Sequence, residues 1–133
     1  MLKDNLPFAV YLSFNGNCRQ AFTYYQSCFG GELHLQTLED SPYCRKMGRQ
    51  MRDMVICATL KSDYLNLMGT DLTGEALLAT GNNISILIEC DSFTERIRLI
   101  NKLAGRNCCS IKNTDPLINV TDRYSINWIL RVA

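Results

Sequence analysis

A strand, a capped helix and a glycine stop occur twice in this chain, and that repetition restricts the folds open to it more than any other feature. The first copy is Val10 to Leu33, VYLSFNGNCRQAFTYYQSCFGGEL. Val10 to Phe14 is apolar and β-rich, Gly16 breaks it, and Asn17 with Gln20 has the capping-box spacing that satisfies two orphan amides reciprocally. Ala21, Phe22, Tyr25 and Phe29 then recur at helical spacing, and Gly30-Gly31 stop the helix. The second copy lies 75 residues on, SILIECDSFTERIRLINKLAGRNC from Ser85. At that offset Leu12 is matched by Leu87, Asn17 by Ser92, Gln20 by Glu95, Phe22 by Ile97, Tyr25 by Ile100 and Gly30 by Gly105. Each copy carries an apolar face that it cannot bury alone, so the two are expected to pack together in one domain.

The ends of the halves are related by a second offset, 61, which matches Leu65-Asn66-Leu67 with Ile126-Asn127-Trp128. The second half is therefore 14 residues shorter, the length of the polar excursion Glu39–Arg52, EDSPYCRKMGRQMR. A loop of that length in a compact domain reads as a gate over a binding face. Strands are expected at Glu32–Leu38, Met54–Leu60 and Tyr64–Met68 in the first half, after the opening strand and helix. Strands Ile84–Cys90, Asn107–Lys112, Leu117–Thr121 and Ser125–Arg131, with a helix Ser92–Ala104, repeat the order in the second. The fold class is α+β: two tandem βαβββ modules forming a curved, mostly antiparallel sheet with helices on its outer face. Residues 1–133 make one domain, with module one at about 7–69, a linker at 70–82 and module two at about 83–132.

A net charge of +1 without a basic stripe gives no basis for binding nucleic acid or an anionic membrane. No signal peptide and no membrane-spanning run is legible, so the expected location is cytoplasmic. Seven cysteines, an odd number without C-x-x-C pairs, are then expected as reduced thiols, most of them small core residues. The only histidine, His34, falls on the polar face of its strand and reads as a surface imidazole.

Asn66 and Asn127 are the sharpest polar signal. Each stands between apolar residues that must face a helix, so both amides are expected on the concave side of the sheet. There they either hold a small ligand in a cavity lined by Val10, Leu12, Phe14, Met68, Ser85 and Leu87, or bond one another, a backbone group or water. Glu89 shares a face with Ser85 and Leu87 and is a weak acid–base candidate, with solvent as its alternative destination. Cys57 is the other weak catalytic candidate, although no neighbouring basic residue would activate its thiol.

The βαβββ duplication, and the segments YLSFNGNCRQAFTYYQSCFGGEL, DMVICATLKSDYLNLMGTD and VTDRYSINWIL, resemble the PhnB-like branch of the vicinal oxygen chelate superfamily, which includes glyoxalase I, bleomycin-resistance proteins and extradiol dioxygenases. The likeness spans nearly the whole chain and implies a scaffold more than a reaction. Metal enzymes of the superfamily take four ligands from the first and last strands of the two halves. Carried over, those positions are Val10, Asn66, Ser85 and Asn127, which offer no good transition-metal donor, so no metal and no other cofactor is expected. Cys57 stands where relatives often have a histidine, and NTDPLIN replaces an aromatic, glycine-rich segment before the VTD stretch. No glycine-rich loop supports S-adenosylmethionine binding. The resemblance implies a homodimer. The resulting expectation is a metal-free, homodimeric small-molecule binder, with a lyase-, isomerase- or dioxygenase-like enzyme of the same fold, or a ligand-free structural or interaction module, as alternatives.

Overall fold

The structure is a computed structural model that describes residues 8–38, 54–72, 78–79, 81–104 and 115–132. The chain divides into two compact units, Met1–Leu78 and Ala79–Ala133. The division falls inside the expected linker. Among the described residues the strands form two mixed sheets, one in each unit, and each sheet is covered by a helix.

The first unit runs β1 (Val10–Ser13), α1 (Cys18–Phe29), β2 (Glu32–Thr37), β3 (Val55–Lys61) and β4 (Asn66–Thr70). Its sheet order is β1-β4-β3-β2, with β1 parallel to β4 and the other neighbours antiparallel. The 3.6-residue spacing read from the sequence buries Ala21, Phe22, Tyr25, Cys28 and Phe29 on one side of α1. Phe22 sits at the centre, edge-on to Phe14 at 5.9 Å and to Tyr25 at 6.0 Å. Gly69 makes this packing possible, because a Cβ there would stand 2.5 Å from the Phe22 ring. Gly31, at φ +100°, admits β2 beside the end of β3, where a Cβ would overlap the Lys61 carbonyl oxygen.

The start of α1 differs from expectation. Asn17 makes no side-chain capping bond. Asp71, just past β4, does that work instead: its Oδ1 accepts from the Gly16 and Cys18 amides at 3.0 and 2.9 Å, and its Oδ2 from the Val55 amide at 3.0 Å. The carboxylate is buried and holds the helix entry, the first residue of β3 and the end of β4 together. Thr70 and Asp71, expected in the linker, are thus integral to the first unit.

The second unit runs β5 (Ile86–Cys90), α2 (Phe93–Ala104), β6 (Leu117–Thr121) and β7 (Asn127–Val132), in the order β5-β7-β6 with β5 parallel to β7. The two helices begin and end 75 residues apart, and β7 begins 61 residues after β4. Here the capping box forms: Ser92 Oγ accepts from the Glu95 amide at 3.2 Å, and Glu95 Oε2 reaches back to the Asp91 amide at 3.3 Å. The buried face of α2 is Arg96, Leu99, Ile100 and Leu103. Ile97, matched with Phe22 by sequence, is 41% exposed, and the buried guanidinium of Arg96 instead donates to the Asp115 carbonyl at 2.7 Å and lies over the Phe93 ring. Trp128 is fully buried as expected, its Nε1 donating to Asp122 Oδ2 at 2.8 Å.

The opening strands are offset by 76 residues and not 75. Val10 pairs with Leu67 in the first unit, whereas Ile86 pairs with Trp128, the counterpart of Leu67, in the second. The connection from strand to helix is one residue shorter in the second unit, and a slip of one residue exchanges the faces of a strand. Leu12 therefore corresponds to Ile88. Leu12 stands beside Gly69 on the helix side, while Leu87 points away from α2 and is 46% exposed. The expected strand Asn107–Lys112 and the Glu39–Arg52 excursion lie outside the described residues.

Replacing Asp71 by alanine orphans three backbone donors and is expected to cost about 3 kcal/mol or more, whereas Asn17→Ala should stay within about 0.5 kcal/mol. Urea denaturation of the two variants checks the contrast, and equal losses would return the cap to Asn17.

Candidate functional site

The face of the first sheet turned away from α1 is set by register. One row across the strands is Tyr11, Met68, Thr59 and His34, and the next is Asn66, Lys61 and Glu32. Directly paired residues share a face, so these side chains stand together. Tyr11 is 56% exposed, while Asn66, Met68 and Thr59 are half-buried. His34 lies in the open, its Nε2 3.9 Å from Glu32 Oε2. An aromatic ring, a thioether and a side-chain amide thus adjoin on one surface.

On the second sheet the corresponding face carries Leu87, Glu89, Asn127, Ile129 and Arg131, with Ser85 preceding β5 in the same alternation. Asn127 is fully engaged there: its Oδ1 accepts from Thr121 Oγ1 at 2.9 Å, and its Nδ2 lies 3.3 Å from the carbonyl oxygens of Gly81 and Ile84. It stitches the end of β6 to the chain entering β5, the structural alternative left open by the sequence. Asn66, at the matching position of β4, has no hydrogen-bond partner among the described residues, and neither does the Lys61 side chain opposite it. The two asparagines do different work.

The residues expected to line one cavity are divided. Asn66 and Met68 share the open face of the first sheet, but Val10 and Leu12 pair with Leu67 and Gly69 on the side of α1, and Phe14 packs against Phe22. The one-residue slip in β1 is the reason. Ser85, Leu87 and Asn127 do share a face of the second sheet. Glu89 is exposed and ion-paired with Arg131. Cys57 is half-buried on β3, its Sγ 3.9 Å from Thr59 Oγ1, and among the described residues it makes no hydrogen bond to a basic side chain. Of the other thiols, Cys18 is buried, and desolvation, reinforced by the nearby Asp71 carboxylate, pushes its pKa up to about 12. Such a thiol is inert.

Tyr11, Thr59 and Lys61 were missed by the sequence reading. For Lys61 and Thr59 a signal existed, since the short turn between β3 and β4, closed by the Ser62 amide on the Leu65 carbonyl at 3.1 Å, fixes Lys61 opposite Asn66 and Thr59 opposite Met68. Tyr11 depends on a parallel pairing with a distant strand, which no local pattern fixes.

The positions that hold a metal in the wider superfamily do not fit one here. Val10 faces the helix, and the residue in register with Ser85 is Ala9, which has no donor. Asn66 and Ser85 offer neutral oxygens, and the amide of Asn127 is committed elsewhere. Among the described residues no three His, Cys, Asp or Glu side chains come together as a metal site, and no helix is long and apolar enough to cross a membrane.

The scaffold defined by these units is α+β, a duplicated strand-helix-strand arrangement, and solved structures share it. Protein PA1353 from Pseudomonas aeruginosa is 30% identical, covering 96% of this chain and 98% of its own, with a TM-score of 0.74. A Bacillus cereus protein described as a putative 3-demethylubiquinone-9 3-methyltransferase, PhnB protein, is 20% identical over 96% of this chain and 100% of its own, with a TM-score of 0.69. A glyoxylase/bleomycin resistance protein/dioxygenase domain from Frankia sp. EAN1pec shares the fold at 14% identity and a TM-score of 0.54, covering 99% of this chain and 93% of its own. Protein YjdN of Escherichia coli K12 is 23% identical over 145 residues, 96% of each chain. No family model matches the sequence. The chain belongs to the family of protein PA1353, and it shares the fold of the PhnB protein and of the glyoxylase/bleomycin resistance protein/dioxygenase domain.

Asn127→Ala is expected to lower stability by about 1 kcal/mol and Asn66→Ala to leave it within about 0.5 kcal/mol, as read by thermal or urea unfolding. In the folded protein Cys18 should resist iodoacetamide at pH 8 while the denatured chain reacts there, which peptide mass spectrometry reads directly.

Proposed function

We propose that this protein is a small-molecule binder of the PhnB-like type, metal-free and homodimeric, whose ligand rests on the open face of the first sheet. The observation that carries this reading is Asn66: a half-buried side-chain amide without a hydrogen-bond partner among the described residues, beside the ring of Tyr11 and the thioether of Met68. The counterpart Asn127, by contrast, is engaged by Thr121 and by the carbonyls of Gly81 and Ile84. A ligand with an apolar body and one polar group would complete the set.

The dimer has separate support. β1 and β5 stand at sheet edges among the described residues; Tyr11 and Leu87 lie on them, Phe8 and Ile84 just before them, the two pairs at positions 76 residues apart, and all four are exposed. Strand edges flanked by large apolar side chains favour association.

Native mass spectrometry on protein purified without chelator or affinity metal tests both parts. A dimer that retains an organic mass in the wild type and loses it in a folded Asn66→Ala variant is the expected result. A stoichiometric transition metal, or an organic mass that persists in Asn66→Ala, would overturn the reading.

A further inference from the structure

We infer that the site selects organic anions, with Lys61 and Asn66 as its polar end and Tyr11 and Met68 as the seat of the apolar body; this rests on the binding reading above and specifies its ligand class. The duplication supplies an internal comparison. The direct cross-strand pair Asn66–Lys61 of the first unit corresponds to Asn127–Thr121 of the second. In the second unit the pair is closed, the Thr121 hydroxyl donating to Asn127 Oδ1 at 2.9 Å, and backbone carbonyls take the remaining amide hydrogens. In the first unit the hydroxyl is replaced by an ammonium group, and neither side chain has a partner among the described residues.

The chemistry of the pair fixes what completes it. Lysine offers only donors, and an amide that turns its nitrogen the same way adds two more. A donor-rich pair is matched by an acceptor that carries negative charge, a carboxylate or sulfonate, through charge-assisted hydrogen bonds. The other charged group across from Lys61 is Glu32, on β2. Its carboxylate is highly exposed and lies 3.9 Å from His34 Nε2, on the far side of Lys61 from Asn66. Along the strands, Met68 is two residues from Asn66 and pairs with Tyr11, so an apolar body extending from the anionic group meets a thioether and an aromatic face. Ligands with this pattern are aromatic or aliphatic acids of modest size.

The test compares an anionic aromatic probe, 8-anilinonaphthalene-1-sulfonate, with its neutral analogue N-phenyl-1-naphthylamine, by fluorescence titration of the full chain. The wild type is expected to bind the sulfonate more tightly, with affinity that falls as NaCl is raised to about 0.5 M. Lys61→Gln should weaken the sulfonate about fivefold or more and leave the neutral probe within about twofold, while Lys61→Arg retains sulfonate binding. Tyr11→Ser should weaken both probes, which places them on this face, and circular dichroism establishes that each variant is folded. Equal sulfonate affinity in wild type and Lys61→Gln, or a preference for the neutral probe, would overturn the anion inference and leave the binding reading standing. Failure of both probes to bind, or binding unaffected by Tyr11→Ser and Asn66→Ala alike, would overturn both.

Discussion

The Asp71 carboxylate organises the first unit. It is buried, and its three accepted bonds come from two segments far apart in sequence: the entry to α1, at Gly16 and Cys18, and the first residue of β3, Val55. A buried charge is tolerated only where hydrogen bonds replace its hydration, and amides near a helix N-terminus supply such bonds along with a favourable dipole. The Asp71 amide also donates to the Val55 carbonyl at 2.8 Å, so the same residue extends the β3–β4 ladder. Together with the β1–β4 ladder and the packing of Phe22 on Phe14 and Gly69, this side chain ties β1 and α1 to the strand pair that carries Asn66 and Lys61.

The second unit reaches the same plan by other bonds. Its helix is capped locally by Ser92 and Glu95, and its buried carboxylate, Asp122, orders the turn into β7 by accepting from the Tyr124 and Ile126 amides at 2.7 and 3.1 Å and from the Trp128 indole. Two copies of a scaffold have thus diverged in how they satisfy polar groups. That divergence gives Asn66 and Asn127 their different roles, because backbone carbonyls and a threonine hydroxyl occupy the amide in one unit only.

The open face of the first sheet places the Tyr11 ring and the Met68 thioether in one row and Asn66 and Lys61 in the next, with Asn66 and Met68 half-buried and Tyr11 and Lys61 exposed. His34 and Glu32 bring one imidazole and one carboxylate to this face, but among the described residues no third such group joins them. Glu89, which shares a face of the second sheet with Ser85 and Leu87, is ion-paired with Arg131. Scaffold and chemistry are separable in this superfamily, and the residues that line the sheet decide what is done there.

Local pattern determined a great deal by itself. The apolar spacing fixed both helices at an offset of 75, the 61-residue offset placed β7 relative to β4, and alternation along β2, β4 and β7 gave their faces, since each depends on short-range periodicity alone. The capping box at Ser92 was legible for the same reason. What only the tertiary structure decided involves distant partners. The cap of α1 comes from Asp71, 53 residues beyond Cys18, and no local motif announces an acceptor supplied from so far away. The burial of Arg96 in place of Ile97 follows from carbonyls around 115 and from Phe93. The face of β1 was misread because a single residue fewer between strand and helix in the second unit shifts the register, and with a side-chain period of two that shift moves Val10 and Leu12 to the helix side and Tyr11 to the open one. Parallel pairing between strands separated by a helix and two more strands is set by packing, and packing is where the sequence pattern ends.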